Sequence, residues 1–160
     1  MTKKTTEPMS LQKMFDTAAV GMLKQGKKSI DVNACRYRGS DGCKCAVGFL
    51  IPEGLYDPGI EGASVFTSMK NPASHLYKEA LDTALKLREV ISPLVGHDDL
   101  RQDRIELLDG LQDIHDGAKN AAGPELRGEW YRDLKAMARD FGLSTKSIDK
   151  VMKELTEASA

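Results

Sequence analysis

Residues 35–52 read CRYRGSDGCKCAVGFLIP, and this stretch decides how the rest of the chain is read. Apolar spacing on both sides of it is helical; inside it the period shortens toward two. Cys35 and Tyr37 fall on one side of an extended chain and Arg36 and Arg38 on the other, because neighbouring strand residues point to opposite faces. Gly39-Ser40-Asp41-Gly42 is turn chemistry. Cys43, Cys45 and Val47 then share a face on the return. The pattern predicts one short β-hairpin across residues 30–47, followed by an apolar segment from Ala46 to Ile51 that stops at Pro52.

Upstream, Leu11, Met14, Phe15, Ala18, Ala19, Met22 and Leu23 fall at i, i+3, i+4, i+7 spacing between a Ser10 N-cap and a Gly26 stop. Downstream, residues 52–73 are rich in proline and glycine and read as irregular, as a covering over a core edge. Ser74 can cap a helix carrying Leu76, Tyr77, Ala80, Leu81, Ala84, Leu87 and Ile91, ended before Pro93. Asp99 and Gln102 resemble a capping box for a helix with Ile105, Leu107, Leu108, Leu111, Ile114 and His115. Pro124 opens a helix with Leu126, Trp130, Leu134, Met137, Ala138 and Phe141, stopped by Gly142. Ser144 caps a last one with Ile148, Val151, Met152 and Leu155. The expected fold is α+β and mostly α, about five helices around one hairpin. Residues 1–9 are expected to be flexible and 10–157 to form a single globular domain.

Composition narrows the function classes. The chain has 160 residues, 41% of them hydrophobic and 29% charged, a balance typical of globular domains. Lys plus Arg number 23 against 24 Asp plus Glu, for a net charge of −1, so no global field draws the protein to nucleic acid or to an anionic membrane. The longest apolar run, 46–51, is far short of a membrane span, and the cationic N-terminus lacks the apolar region of a secretory signal. With three cysteines, an odd number, the chain reads as a protein of a reducing cytoplasm with free or metal-bound thiols.

Four constellations can carry chemistry. Cys35, Cys43 and Cys45 can face one another across the hairpin and supply three zinc ligands, with His75, His97 or His115 as the fourth. The C-x7-C-x-C spacing lacks a C-x2-C knuckle, so buried thiols without a metal or other cofactor are the preferred reading. His115, beside Asp116 on an apolar stripe, can act as a general base toward Cys45, making a zinc or thiol enzyme. The preferred role is structural, with Trp130 as a core anchor. Residues 134–155 have the spacing of a DNA-reading helix-turn-helix, with Ser144, Thr145, Lys146, Ser147 and Lys150 facing a groove. Lys24, Lys27, Lys28, Arg36, Arg38 and Lys44 form a basic surface that can grip phosphates or an acidic partner.

The run Cys35-x-Tyr37-Arg38-Gly39-x-x-Gly42-x-Lys44-Cys45-Ala46-Val47-Gly48-x-Leu50-Ile51-Pro52 resembles the signature of a family of short, uncharacterised proteins of tailed phages and bacterial genomes. Tyr56, Glu61-Gly62, Leu111-Gln112-x-x-His115-Asp116 and Trp130 are similar to it too. Cys43 falls at a variable slot of that signature, which favours Cys35 and Cys45 as the pair that matters. The resemblance implies a phage or prophage accessory protein in the bacterial host cytoplasm and carries no activity with it. The expected function is binding to a host macromolecule, a bacterial protein before a nucleic acid, without catalysis.

Overall fold

The computed structural model describes residues 7–31, 34–70 and 78–159. Helix α1 (Leu11–Gln25) begins where the Ser10 hydroxyl accepts the Lys13 N–H at 3.1 Å. It ends at Gly26, whose φ of 60° lets its N–H return to the Met22 carbonyl. A side chain at Gly26 would also collide with the Arg127 guanidinium, which donates to the Leu23 carbonyl at that helix end. Met14, Phe15, Ala18, Ala19, Met22 and Leu23 are all fully buried. Each of the large ones contributes about 1.5–3 kcal/mol by leaving water. Those apolar positions make α1 the hub.

The expected hairpin does not form as a ladder. The strands are β1 (Ile30–Asp31) and β2 (Ala34–Cys35), antiparallel, with Ile30 opposite Cys35 and Asp31 opposite Ala34. Across Gly39 to Gly42 there is one isolated bridge, Arg38 to Lys44, with Gly39 N–H on the Cys43 carbonyl at 2.8 Å. The reason is competition for backbone groups. Glu61 accepts the Tyr37 and Arg38 N–H groups, both at 3.0 Å. Asp41 accepts that of Cys43 at 3.0 Å, and Gln25 takes both the N–H and the carbonyl of Lys44, at 2.9 and 2.8 Å. Side chains satisfy what a second strand would have satisfied.

The rest of the described chain is mostly helical. Residues 52–64 are irregular, as expected, with single 3-10 turns at Glu53–Leu55 and Pro58–Ile60. The expected irregular segment also contains a short helix, α2 (Val65–Lys70), whose Val65 and Met69 are buried in the core with Ile60. Helix α3 (Lys78–Val95) runs through Pro93 instead of stopping before it. Pro93 removes one N–H near the helix end, but Leu94 and Val95 just beyond it are buried, and Gly96 closes the turn onto Ser92. Ser74, His75, Leu76 and Tyr77 lie outside the described residues.

Helix α4 (Arg101–Gly117) is not opened by the expected Asp99–Gln102 box. No side chain caps its start; just before it, the Asp98 carboxylate accepts the Leu100 N–H at 3.1 Å and the Arg104 guanidinium at 2.5 Å. Arg104 is buried and also donates to the carbonyls of Met9 and Val95, so three segments meet on one fork. Helix α5 (Gly123–Asp140) carries Pro124 in its first turn and gives way to Gly142 at a φ of 65°. Helix α6 (Lys146–Ala158) starts after Thr145; Ser144 reaches the Lys146 N–H only at 3.3 Å. Helices α4, α5 and α6 pack on α1, and α4 packs on α5. No described helix is long and apolar enough to cross a membrane.

Candidate functional site

After Gly26 the chain runs beside the connection between α4 and α5. Lys27 bridges Ala122, and Lys28 N–H donates to the Ala121 carbonyl at 2.9 Å. This places the Lys28 ammonium on the Asp116 and Ala118 carbonyls, the orphan acceptors at the end of α4. It also delivers Ser29 into a fully buried position. Ser29 Oγ donates to the Cys43 carbonyl, its own carbonyl accepts from Arg36 N–H, and its N–H points at His115 Nε2 at 3.4 Å.

His115 is fully buried and stacks on the Trp130 indole, ring centroids 5.3 Å apart and planes 22° apart. Its Nδ1 lies 2.7 Å from Asp116 Oδ1. An amide donor at Nε2 and a carboxylate at Nδ1 assign the ring proton to Nδ1. Asp116 Oδ1 also accepts from Gln112 Nε2 at 2.8 Å, and the Cys35 thiol lies within 4.8 Å of the same carboxylate. Burial pulls the Asp116 carboxyl upward, yet His115, Gln112 and Cys35 together hold it below the ordinary value. Burial, and then the neighbouring Asp116 carboxylate, push the Cys35 thiol up to about 11. Cys45 is fully buried and pushed further up by burial; its sulfur accepts the Gly48 N–H. A nucleophilic cysteine needs the opposite environment.

Cys35 and Asp116 line a cleft of about 340 Å³ together with Arg36, Tyr37, Cys45, Gly62, Ala63, Ser64 and Gln112. The Nε of Arg36 is buried there without a hydrogen-bond partner. Cys35, His115 and Asp116 offer one ligand atom each, all within 4.8 Å of one another. The weaker alternative from sequence, a zinc set of Cys35, Cys43 and Cys45, is not a cluster among the described residues: Cys43 is bound up with Asp41 and Lys27 at the turn. His97 is exposed, and His75 lies outside the described residues.

Beside the cleft sits a second device. Glu61 accepts from Tyr37 N–H, Arg38 N–H and the Tyr56 hydroxyl, the last at 2.8 Å. Tyr37 in turn donates its hydroxyl to the Ala63 carbonyl at 2.5 Å. The Arg38 guanidinium lies over the Tyr56 ring, 4.4 Å from its centroid, and donates to Glu53 and to the Ile51 carbonyl. Burial and then Glu61 raise the Tyr56 phenol to about 12.

The expected basic surface is largely neutralised. Glu53 pairs with both Arg38 and Lys44, Lys27 pairs with Asp41, and Lys28 is buried on carbonyls. At the C-terminal helices Lys146 and Lys150 are exposed, with Lys150 3.9 Å from Glu154. The start of α6 is tied to α1: Gln12 holds the Ser144 backbone, and Ser147 Oγ donates to Asp16 at 2.6 Å. Asp149 stands in the first turn, bonded to Tyr131 and Thr145. The cations a DNA groove would meet are interleaved with carboxylates.

Ser29, Lys28, Gln25 and Glu61 carry this architecture; the sequence assigns Ser29 and Gln25 no site role and places Lys28 on a basic surface rather than on buried carbonyls. No periodicity marks them, because each acts through backbone groups distant in sequence. No protein-family model, curated protein or solved structure matches the chain.

Proposed function

We propose that the protein works by binding a macromolecular partner, a protein before a nucleic acid, without catalysis, and that it is an accessory protein of a phage or prophage acting in a bacterial cytoplasm. The observation that carries the reading is the Glu61 clamp. It fixes an irregular segment, 52–64, against the rigid body of the fold and holds Leu55 outward, 46% exposed, at the edge of a cleft of about 470 Å³ formed with Lys86, Glu89 and Val90 of α3. A loop ordered before contact spares its partner the ordering entropy, which is how binding surfaces gain affinity without added area. The groups that chemistry would need are turned inward: His115 has no exposed surface and both its nitrogens are engaged.

The setting rests on the resemblance of the 35–52 segment, and the preference for protein rests on the neutralised cations. Capture from bacterial lysate with and without nuclease tests both. The reading expects a nuclease-resistant partner that Leu55→Glu releases while the far-ultraviolet spectrum and melting temperature stay unchanged. Capture lost on nuclease treatment, or lost in Lys146→Ala/Lys150→Ala while Leu55→Glu binds normally, would replace it with the helix-turn-helix reading.

A further inference from the structure

We propose that Cys35 Sγ, His115 Nδ1 and the Asp116 carboxylate form a site for one divalent cation, zinc by donor set, open on its fourth side to the cleft. The three ligand atoms come from β2 and the last turn of α4 and lie within 4.8 Å of one another. Zinc bond lengths place tetrahedral ligands roughly 3.3–3.8 Å apart. The His115–Asp116 pair, at 2.7 Å, therefore opens slightly, and the sulfur closes in by an amount its half-buried position allows.

The metal-free cluster holds three ligand groups and two protons, one on His115 Nδ1 directed at Asp116 and one on the nearby Cys35 thiol. A cation takes the place of those protons. The balance is definite. Cys35 S–H loses one proton to solvent and binds as thiolate. The imidazole keeps its proton but moves it from Nδ1 to Nε2, so His115 releases none. Thiolate and carboxylate together then neutralise the dication. Gln112, bonded to Asp116 and lining the cleft, orients the carboxylate as an outer partner. One contact opposes the site. Ser29 N–H points at Nε2, 3.4 Å away, and loses its acceptor when Nε2 takes the proton. The site is for that reason weaker than a closed four-ligand zinc centre and exchanges its ion.

This inference stands independently of the partner-binding reading. It differs from the three-cysteine set suggested by the sequence, because Cys43 and Cys45 take no part. The test uses the full chain, reduced and stripped with a chelator, then titrated with cobalt as a probe and with zinc in competition with a chromophoric chelator. The expected result is one ion per chain, a thiolate-to-cobalt charge-transfer band, and one proton released per zinc in calorimetry across buffers. Cys35→Ser and Asp116→Asn should each weaken binding by at least about tenfold, the loss that even an outer partner's removal produces. Cys43→Ser should bind as the parent does. Nitrogen-15 spectra of the unmodified protein report the His115 tautomer, which no folding defect of a variant can confuse. A ring that keeps its proton on Nδ1 at saturating zinc, absence of the charge-transfer band, or binding that follows Cys43 overturns the proposal.

Discussion

Glu61→Ala separates a clamped loop from one that merely rests on the core. Glu61 receives two backbone N–H groups at 3.0 Å and a phenol at 2.8 Å. Hydrogen bonds to a charged acceptor contribute about 1.5 kcal/mol each at the low end of their range, and the three together come to about 4.5 kcal/mol. Water reaches this side of the molecule and can re-pair freed donors, so about half is lost in practice, about 2 kcal/mol. For a chain of this length that lowers the melting temperature by about 4–8 °C. Glu61→Gln keeps the shape and one acceptor oxygen and should lose about half as much. Urea denaturation gives the free energies, and limited proteolysis reports cleavage between residues 53 and 64, which should quicken in Glu61→Ala. A Glu61→Ala protein within about 0.5 kcal/mol of the parent, with unchanged proteolysis, would refute the clamp and remove the support for partner binding through this loop.

Tyr56 supplies a pH signature. Its phenol is raised from 10.0 to about 12 in the folded state, so the stability it lends is complete below pH 10 and lost as pH rises toward 12. Melting curves of Tyr56→Phe and parent should differ at pH 8 and converge across that alkaline window; a constant difference would refute the shift. Gly48→Ala should destabilise by about 2 kcal/mol or more in urea, because its Cβ would sit 2.0 Å from the Tyr37 carbonyl oxygen, while Gly54→Ala, with open space around it, should stay within about 0.5. Trp130→Ala should cost about 3–5 kcal/mol by calorimetry, whereas Trp130→Phe, which removes an indole N–H that has no partner, should cost well under half of that.

The helices were legible because their signal is periodic. Of the apolar positions expected to face inward on α1, all but the first, Leu11, which is half-buried, are fully buried, and the stops at Gly26 and Gly142 both have positive φ. Trp130 and His115 were legible for the same reason, as members of apolar stripes. What failed was local punctuation. Pro93 marks a terminator in the sequence, yet burial of Leu94 and Val95 outweighs one missing hydrogen bond near a helix end. The sequence offers Asp99 as a cap, yet no side chain caps α4; its neighbour Asp98 holds the approach to the helix through Leu100 N–H and Arg104. Short-range rules cannot see a guanidinium whose other partners are Met9 and Val95.

The 35–47 segment failed for a deeper reason. Alternation of side chains fixes which way residues point, not what satisfies the backbone between them. In a hairpin the facing strand does that, and almost any strand-forming sequence suffices. Here Gln25 does it for Lys44, with Oε1 accepting the N–H at 2.9 Å and Nε2 donating to the carbonyl at 2.8 Å, while the same Nε2 holds the Lys27 carbonyl at 2.7 Å. The two architectures differ in what a single side chain controls. Gln25→Ala should leave α1 intact, since alanine is the better helix former, and cost about 1–2 kcal/mol by freeing the Lys44 backbone. Hydrogen exchange should then quicken at the Lys44 amide but not at Gly39, whose N–H bonds the Cys43 carbonyl at 2.8 Å. Equal protection of Lys44 in parent and Gln25→Ala would mean that a strand partner, not a side chain, holds this segment, and the hairpin would have been the right reading after all.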